Sequence, residues 1–148
     1  MAIEKARAQE AIVFVKQAIS SVRRYFLENN AVPASFDDLD ITLPGARVAN
    51  QPRRINISKY YYALMSATGG VTAYRIGATS EEPKITAEGP GSTTNASQVR
   101  KRYILCAAGQ NNTQAERICR ALGAKEANPP INNCGWAVGD YCLVIGYQ

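Results

Sequence analysis

Along residues 2–28 the apolar positions Ile12, Val15, Ile19, Val22 and Phe26 recur every three or four residues, the spacing that lines one face of an α-helix. Alanines at 2, 6, 8, 11 and 18 add helix propensity, and neither Gly nor Pro interrupts the run. Asn29-Asn30 and then Pro33 close it, because Asn tolerates a left-handed exit and Pro cannot continue a helix. The pattern predicts one long amphipathic helix over 2–30. Val13 and Phe14 fall well off the apolar stripe, on a side otherwise occupied by Arg7, Glu10, Gln17, Ser21 and Arg24, and Ile3 lies on nearly the same side as Phe14.

The pattern then changes. Ser35 can cap a short helical turn, with Phe36 and Leu39 pointing inward and Asp37 and Asp38 near its positive end. The rest of 31–58 carries further prolines and few periodic apolar residues, and reads as an irregular connection. Residues 59–67 and 71–78 are strand-like, with Thr68-Gly69-Gly70 as the hairpin turn between them. Residues 79–99, with Pro83, Gly89, Pro90 and Gly91, read as a surface loop. Another strand covers 102–107. A short helix covers 113–122, with Glu116 three residues after Thr113 and Gly123 at its end. After a loop containing Pro129-Pro130, residues 136–148 read as a terminal strand or hairpin bending at Gly139-Asp140. The expectation is a single α+β domain over 1–148, its long helix packed on an antiparallel sheet occupying 59–148 together with loops and the short helix.

Composition narrows the chemistry. Of 148 residues, 46% are hydrophobic and 20% charged, as in a folded domain with its own core. The net charge of +5 is spread out, with short clusters only at Arg23-Arg24, Arg53-Arg54 and Arg100-Lys101-Arg102, so it reads as a mildly basic surface and not a basic tail. The chain has no histidine, which removes the commonest general base and the commonest transition-metal ligand. No apolar run, Ala11 to Val15 among them, comes near a membrane span, and the start has no signal-peptide pattern. A chain opening inside a helix reads as a truncated, soluble form of a longer protein.

Cys106, Cys119, Cys134 and Cys142 are separated by 12, 14 and 7 residues, so no C-x-x-C pair exists to nucleate a zinc site. Two disulfides in an oxidising compartment fit better than free thiols or a metal. Asp37, Asp38 and Asp40 fall short of a calcium loop, which needs more acids and a closing Glu, and read as a solvated helix start. Glu81-Glu82 sit in a Pro/Gly-rich stretch and read as loop surface. Tyr60, Tyr61 and Tyr62 with Lys59, Tyr74 and Arg75 have the composition of a platform for single-stranded nucleic acid, but strand alternation puts Tyr61 on the opposite face from Tyr60 and Tyr62. Sheet packing is the simpler reading. No residue is assigned to catalysis, to a cofactor or to a metal, and the chain is not expected to be an enzyme.

Taken in order, several segments resemble type IV pilins and secretion pseudopilins. They are the alanine-rich helix closing on Tyr25-Phe26-Leu27-Glu28-Asn29-Asn30, Pro33 with Asp37-Asp38-Leu39, the piece from Ala115 to Gly123 around Cys119, and the run from Cys134-Gly135-Trp136 to Tyr141-Cys142-Leu143. The resemblance implies a pilin-like fold with a disulfide-bracketed C-terminal region and a non-catalytic role as a filament subunit. It implies an apolar half-helix ahead of this segment, trimmed by a prepilin peptidase and anchored in the bacterial inner membrane before assembly, and an extracellular or periplasmic filament afterwards. The implied partners are other pilin subunits, through the N-terminal helix, and that helix then supplies an assembly face of Ile3, Val13 and Phe14, exposed in the isolated domain. A lesser alternative is a minor pilin that binds DNA or a surface receptor through basic and aromatic side chains. Some secretion pseudopilins hold calcium near the C-terminus; here only Asp140 offers a carboxylate after Glu126, so no such site is expected.

Of the three connectivities that four cysteines allow, the sequence-local one joins Cys106 to Cys119 and Cys134 to Cys142. Loops this short contribute about 2–3 kcal/mol each in the chain-entropy account. Peptide mapping without reductant is expected to yield these two linked pairs. A Cys106–Cys134 or Cys119–Cys142 peptide overturns the pairing.

Overall fold

A computed structural model describes residues 2–57, 59–76, 83–109, 113–132, 134 and 141–148, with the backbone alone described for 2–4, 132 and 141. Helix α1 runs Ala2–Asn29 and exits through Asn30 at a φ of 50°, the left-handed conformation that Asn accepts readily. Its buried face is broader than the Ile12-to-Phe26 stripe. Ala8, Ala11, Phe14, Val15, Ala18, Ile19, Ser21 and Val22 are buried, whereas Ile12 and Phe26 are only half-buried at its margin. Ala11 and Ala18, two turns apart, form the centre of this face and bring the helix backbone close to the sheet. A helix seated that closely buries side chains on both flanks of the contact line.

One of those flanks carries Phe14, and here the expected assembly face is corrected. Phe14 is 4% exposed, stacks on Tyr62 with ring centroids 3.8 Å apart, and meets Phe36 edge-on at 6.2 Å. It joins α1 to the sheet and to the turn after the helix, so it is a core residue. Val13 is 54% exposed. The Ile3 side chain lies outside the described residues.

The sheet is entirely antiparallel, in the order β1-β2-β3-β4-β5-β6-β8-β7. Its strands are β1 Ala46–Val48, β2 Gln51–Ile57, β3 Tyr60–Leu64, β4 Val71–Arg75, β5 Lys84–Ala87, β6 Tyr103–Ala108, β7 Lys125–Asn132 and β8 Tyr141–Tyr147. Up to β6 each strand lies beside its predecessor; β8 then inserts between β6 and β7. The described residues also form two short helices, α2 (Asn95–Arg100), capped by the Thr94 hydroxyl, and α3 (Thr113–Ala121).

Three expectations for irregular structure are corrected. The connection 31–58 contains a 3-10 turn, Phe36–Asp38, and then the β1–β2 hairpin. Pro52 is tolerated because β2 pairs with β3 only from Arg54 onward, so its missing N–H interrupts no central ladder. The loop 79–99 contains β5 and α2. The segment with Pro129-Pro130 is an edge strand, and the prolines fall where its register with β8 breaks, between Glu126 and Ile131. The expected bend at Gly139-Asp140 and the Glu81-Glu82 pair lie outside the described residues.

Strand alternation divides the sheet into two faces. Ile55, Tyr62, Leu64, Val71, Ala73, Ile85, Ala87, Ile104, Cys106 and Leu143 form one core with α1, which lies chiefly on β4 and β5. Helix α3 covers the β6–β8 end of the same face, and the Cys106–Cys119 disulfide staples it there. On the opposite face Leu105, Ala107, Ile131, Cys134 and Cys142 form a smaller cluster that includes the Cys134–Cys142 disulfide. At the β3–β4 turn, Gly89 lies so close to the Thr68–Gly70 backbone that a Cβ would stand 2.1 Å from the Thr68 carbonyl oxygen.

Phe14→Ala is expected to destabilise the domain by about 3–5 kcal/mol, the cost of an emptied aromatic site. Val13→Ala should change stability by less than about 0.5 kcal/mol. Denaturant titration of the two variants checks this ordering. Equal losses place Phe14 outside the core.

Candidate functional site

Three parts of the molecule have enough organised chemistry to be considered. The first joins the end of α1 to the loop that follows it. Arg24 holds Asp40 with two bonds, Nε donating to Oδ2 at 2.6 Å and Nη2 to Oδ1 at 2.9 Å, while the Ser21 hydroxyl donates to Oδ1. Asp38 accepts from the amides of Ala34 and Ser35 and completes a capping box with Ser35, and Asp37 pairs with Arg47 at 2.8 Å. Each acid of the Asp37, Asp38 and Asp40 trio thus answers a different partner. Together they pin the turn under α1, and the three do not converge on a common point. Among the described residues no group of three or more Cys, Asp or Glu side chains is placed to share a cation.

The second is the sheet face turned away from α1. Arg54, Tyr61, Tyr74 and Lys84 come from β2, β3, β4 and β5 in turn and form a continuous ladder. The Arg54 guanidinium sits 4.1 Å above the Tyr61 ring, Tyr61 stacks on Tyr74 at 4.7 Å, and the Lys84 ammonium is 5.7 Å from the Tyr74 centroid. Burial pushes the Tyr74 phenol above its usual range, so it stays neutral through the physiological interval. The ring faces are occupied within the ladder: each tyrosine has the other on one side and a cation on the second. A nucleobase that binds by stacking needs an open ring face.

Tyr60 and Tyr62 face the other way. Tyr62 is buried under Phe14, and burial raises its pKa as well. The basic clusters divide similarly, because Arg53 and Arg54 alternate across β2 and only Arg54 joins the ladder. The Arg53 Nε is a buried polar atom without a hydrogen-bond partner. Lys101 donates to the Pro90 carbonyl at 3.3 Å, and Arg102 is exposed. These positions form no common stripe with Arg53-Arg54.

The third part is a half-open groove of about 310 Å³ under the β3–β4 turn, whose lining includes Thr72, Lys84, Thr86, Glu88 and Arg100. Its polar groups answer one another. Thr72 and Thr86 share a hydroxyl–hydroxyl bond of 2.9 Å, and the Glu88 carboxylate accepts from Ser92 and from Arg100 Nε. The Arg100 and Glu88 side chains are only 15% and 20% exposed, so this pair fixes α2 against the strand β5 side of the sheet.

The chain matches no protein-family model, no curated protein and no solved structure. The functional reading therefore rests on geometry. Among the described residues, the outer side of α1 carries two of the exposed large apolar side chains among charged groups. Leu27 is 84% exposed and Val13 54%, among Lys5, Gln9, Glu10, Lys16, Gln17, Ser20, Arg23 and Glu28. Val13 was legible as an off-stripe apolar residue. Leu27 was missed, although it stands about 100° round the axis from the centre of the Ile12-to-Phe26 stripe. No helix among the described residues is long and apolar enough to cross a membrane.

The Asp40 clamp gives a pH signature. Arg24, and then Ser21, hold the Asp40 carboxyl well below the usual carboxylate range. A folded-state pKa below the unfolded value of about 3.9 means that the contribution is complete above that pH and fades as pH falls below it. Asp40→Asn should lower the Tm at pH 7 by an amount that stays constant down to about pH 5. The gap to wild type should then close as the pH falls from about 4 toward 2. A gap that persists unchanged at pH 2 shows that the carboxylate charge is not what holds the clamp.

Proposed function

We propose that this chain is the globular head of a non-catalytic filament subunit of the type IV pilin or secretion pseudopilin kind. The observation that carries the reading is the two-sided character of α1. One face is buried on the centre of an antiparallel sheet, while the other leaves Val13 and Leu27 in solvent on a polar background. Val13 and Leu27 stand about 21 Å apart along the helix, as single residues and not a patch, and in this proposal they are contact points for a neighbouring subunit. The order of parts supports the same reading: the helix, a capped turn pinned by Asp38 and Asp40, the sheet, and a C-terminal third closed by two disulfides. In this proposal an apolar helical segment precedes residue 2 in the gene product and anchors it in the inner membrane before assembly. Its partners are further copies or related subunits. The alternative of a DNA- or receptor-binding minor pilin has less support, since the tyrosine faces are occupied and the arginine clusters are dispersed.

Val13→Glu and Leu27→Glu in the full gene product should each lower the yield of sheared filaments by about tenfold or more, with the Tm of the isolated domain unchanged within about 2 °C. Antibody raised against the domain should decorate filaments from wild-type cells. Unlabelled filaments, or a coding sequence without about twenty apolar residues ahead of residue 2, overturn the reading.

A further inference from the structure

The groove under the β3–β4 turn lies on the sheet face turned away from α1, and strand alternation decides which side chains reach it. Ile85 and Ala87 go to the core, so Lys84 and Thr86 point the other way, about 7 Å apart along β5. Thr72 of β4 stands directly opposite Thr86, and Ala107 of β6 directly opposite Lys84. Two hydroxyls thus form the floor, with the Lys84 ammonium beside them. Met65, Ala107 and Cys134 supply apolar lining, and Glu88 and Arg100 border the same space.

The bonds that these groups make to one another leave two donors over. A pair of hydroxyls carries two protons, and the Thr72–Thr86 bond uses one of them. Neither threonine makes another side-chain hydrogen bond among the described residues. Thr72 is 3% exposed and Thr86 is more open, so the arrangement that serves both has Thr72 donating to Thr86 and Thr86 donating into the groove. Arg100 spends only Nε on Glu88, and its Nη1 and Nη2 have no acceptor among the described residues. The Arg100 side chain is 15% exposed, and the open space it borders is this groove. A guanidinium edge largely withdrawn from water and without an acceptor is ready for an anion that can take both of its nitrogens.

We infer that this groove is a binding site for a small organic monocarboxylate. The Nη edge of Arg100 holds the two carboxylate oxygens, and the Thr86 hydroxyl donates to one of them. Two cations, Lys84 and Arg100, border the groove against one carboxylate, Glu88, so its net charge suits an anion of single charge. A phosphate dianion sets a second negative charge against Glu88, which is disfavoured. The body of the ligand meets Met65, Ala107 and Cys134, and a space of about 310 Å³ is at the lower end of small-molecule sites, which limits it to a few carbons beyond the acid. Binding also tightens the hold of α2 on β5, because the same guanidinium answers Glu88 through Nε and the ligand through its other two nitrogens. The site is independent of the filament reading, since α1 lies on the other face of the sheet.

The test is an NMR amide-shift titration of the 148-residue chain, with N-acetyl-alanine as the probe and N-acetyl-alanine amide as its neutral counterpart. The acid should shift the amides of Thr72, Thr86, Glu88 and Arg100 saturably, with a Kd of about 1 mM or tighter. The neutral amide and inorganic phosphate should each bind at least about tenfold more weakly. Arg100→Gln should weaken binding of the acid by about tenfold or more, and Thr86→Val by about threefold or more, with thermal melting as the folding control. If Arg100→Gln releases α2, Thr86→Val decides the matter. Absence of a saturable shift, equal binding of the acid and its amide, tighter binding of phosphate, or unchanged affinity in a folded variant overturns the site. None of these results bears on whether the chain enters filaments.

Discussion

The contact between α1 and the middle of the sheet, made through Ala11 and Ala18, governs the rest of the molecule. Two residues without a side chain beyond Cβ let the helix backbone approach β4 and β5 closely, so the flanks on either side of the contact line are also buried. Val15, Ile19 and Val22 fill one flank and Phe14 and Ser21 the other. Burying a side chain such as Phe14, Val15, Ile19 or Val22 is worth about 1.5–3 kcal/mol relative to leaving it exposed, which makes this the principal hydrophobic contact of the helix. Ser21 is the polar exception, and its hydroxyl is answered by Asp40, so the same contact fixes where the chain goes after the helix. A larger residue at either alanine would lift the helix and loosen Phe14, the Asp40 clamp and the turn beneath it together.

Much of this plan was legible before any coordinates, and its failures have physical causes. The long helix, the Ser35 cap, the Thr68-Gly69-Gly70 turn and α3 are encoded by residues next to one another, and they appear where local rules put them. The error over Phe14 came from centring the buried face on the largest side chains. An alanine-centred contact buries a wider arc, and the seven-residue repeats Ala11–Ala18 and Phe14–Ser21 were the signal for it. Strand β2 shows clear alternation in Arg54-Ile55-Asn56-Ile57, and β5 in Lys84-Ile85-Thr86-Ala87. Neighbouring prolines concealed both, because Pro is excluded from central ladders but not from strand starts and edges. The Arg24–Asp40 clamp and the Arg54-to-Lys84 ladder could not be read from spacing, since each joins elements whose juxtaposition exists only after the sheet has formed.

The open sheet face shows how composition misleads about binding. Tyrosines among arginines and lysines suggest a nucleic-acid platform, yet in this register Tyr61 and Tyr74 are directly opposite on neighbouring strands and stack on each other. Arg54 and Lys84 then close the two ends of the stack. Cross-strand aromatic and cation–π contacts of this kind each contribute about 0.5–1 kcal/mol, and they stiffen the face turned away from α1. The ladder lets the β2–β5 part of the sheet present tyrosines and cations that are already engaged with one another.

The two edges of that sheet bear on how copies of the molecule can associate. An exposed edge strand invites another strand to pair with it, and an unprotected edge leads to aggregation. At one edge β1 is only three residues long and its register with β2 shifts between Arg47 and Val48. At the other, β7 carries Pro129 and Pro130 at a register break, so it lacks the run of amides a partner strand would need. Both edges are therefore poor templates for strand addition. Helix α1, by contrast, is 28 residues long and exposed along its outer side, with Val13 and Leu27 among charged residues. With both sheet edges blunted, the outer side of α1 is the surface that the proposed filament contact would use.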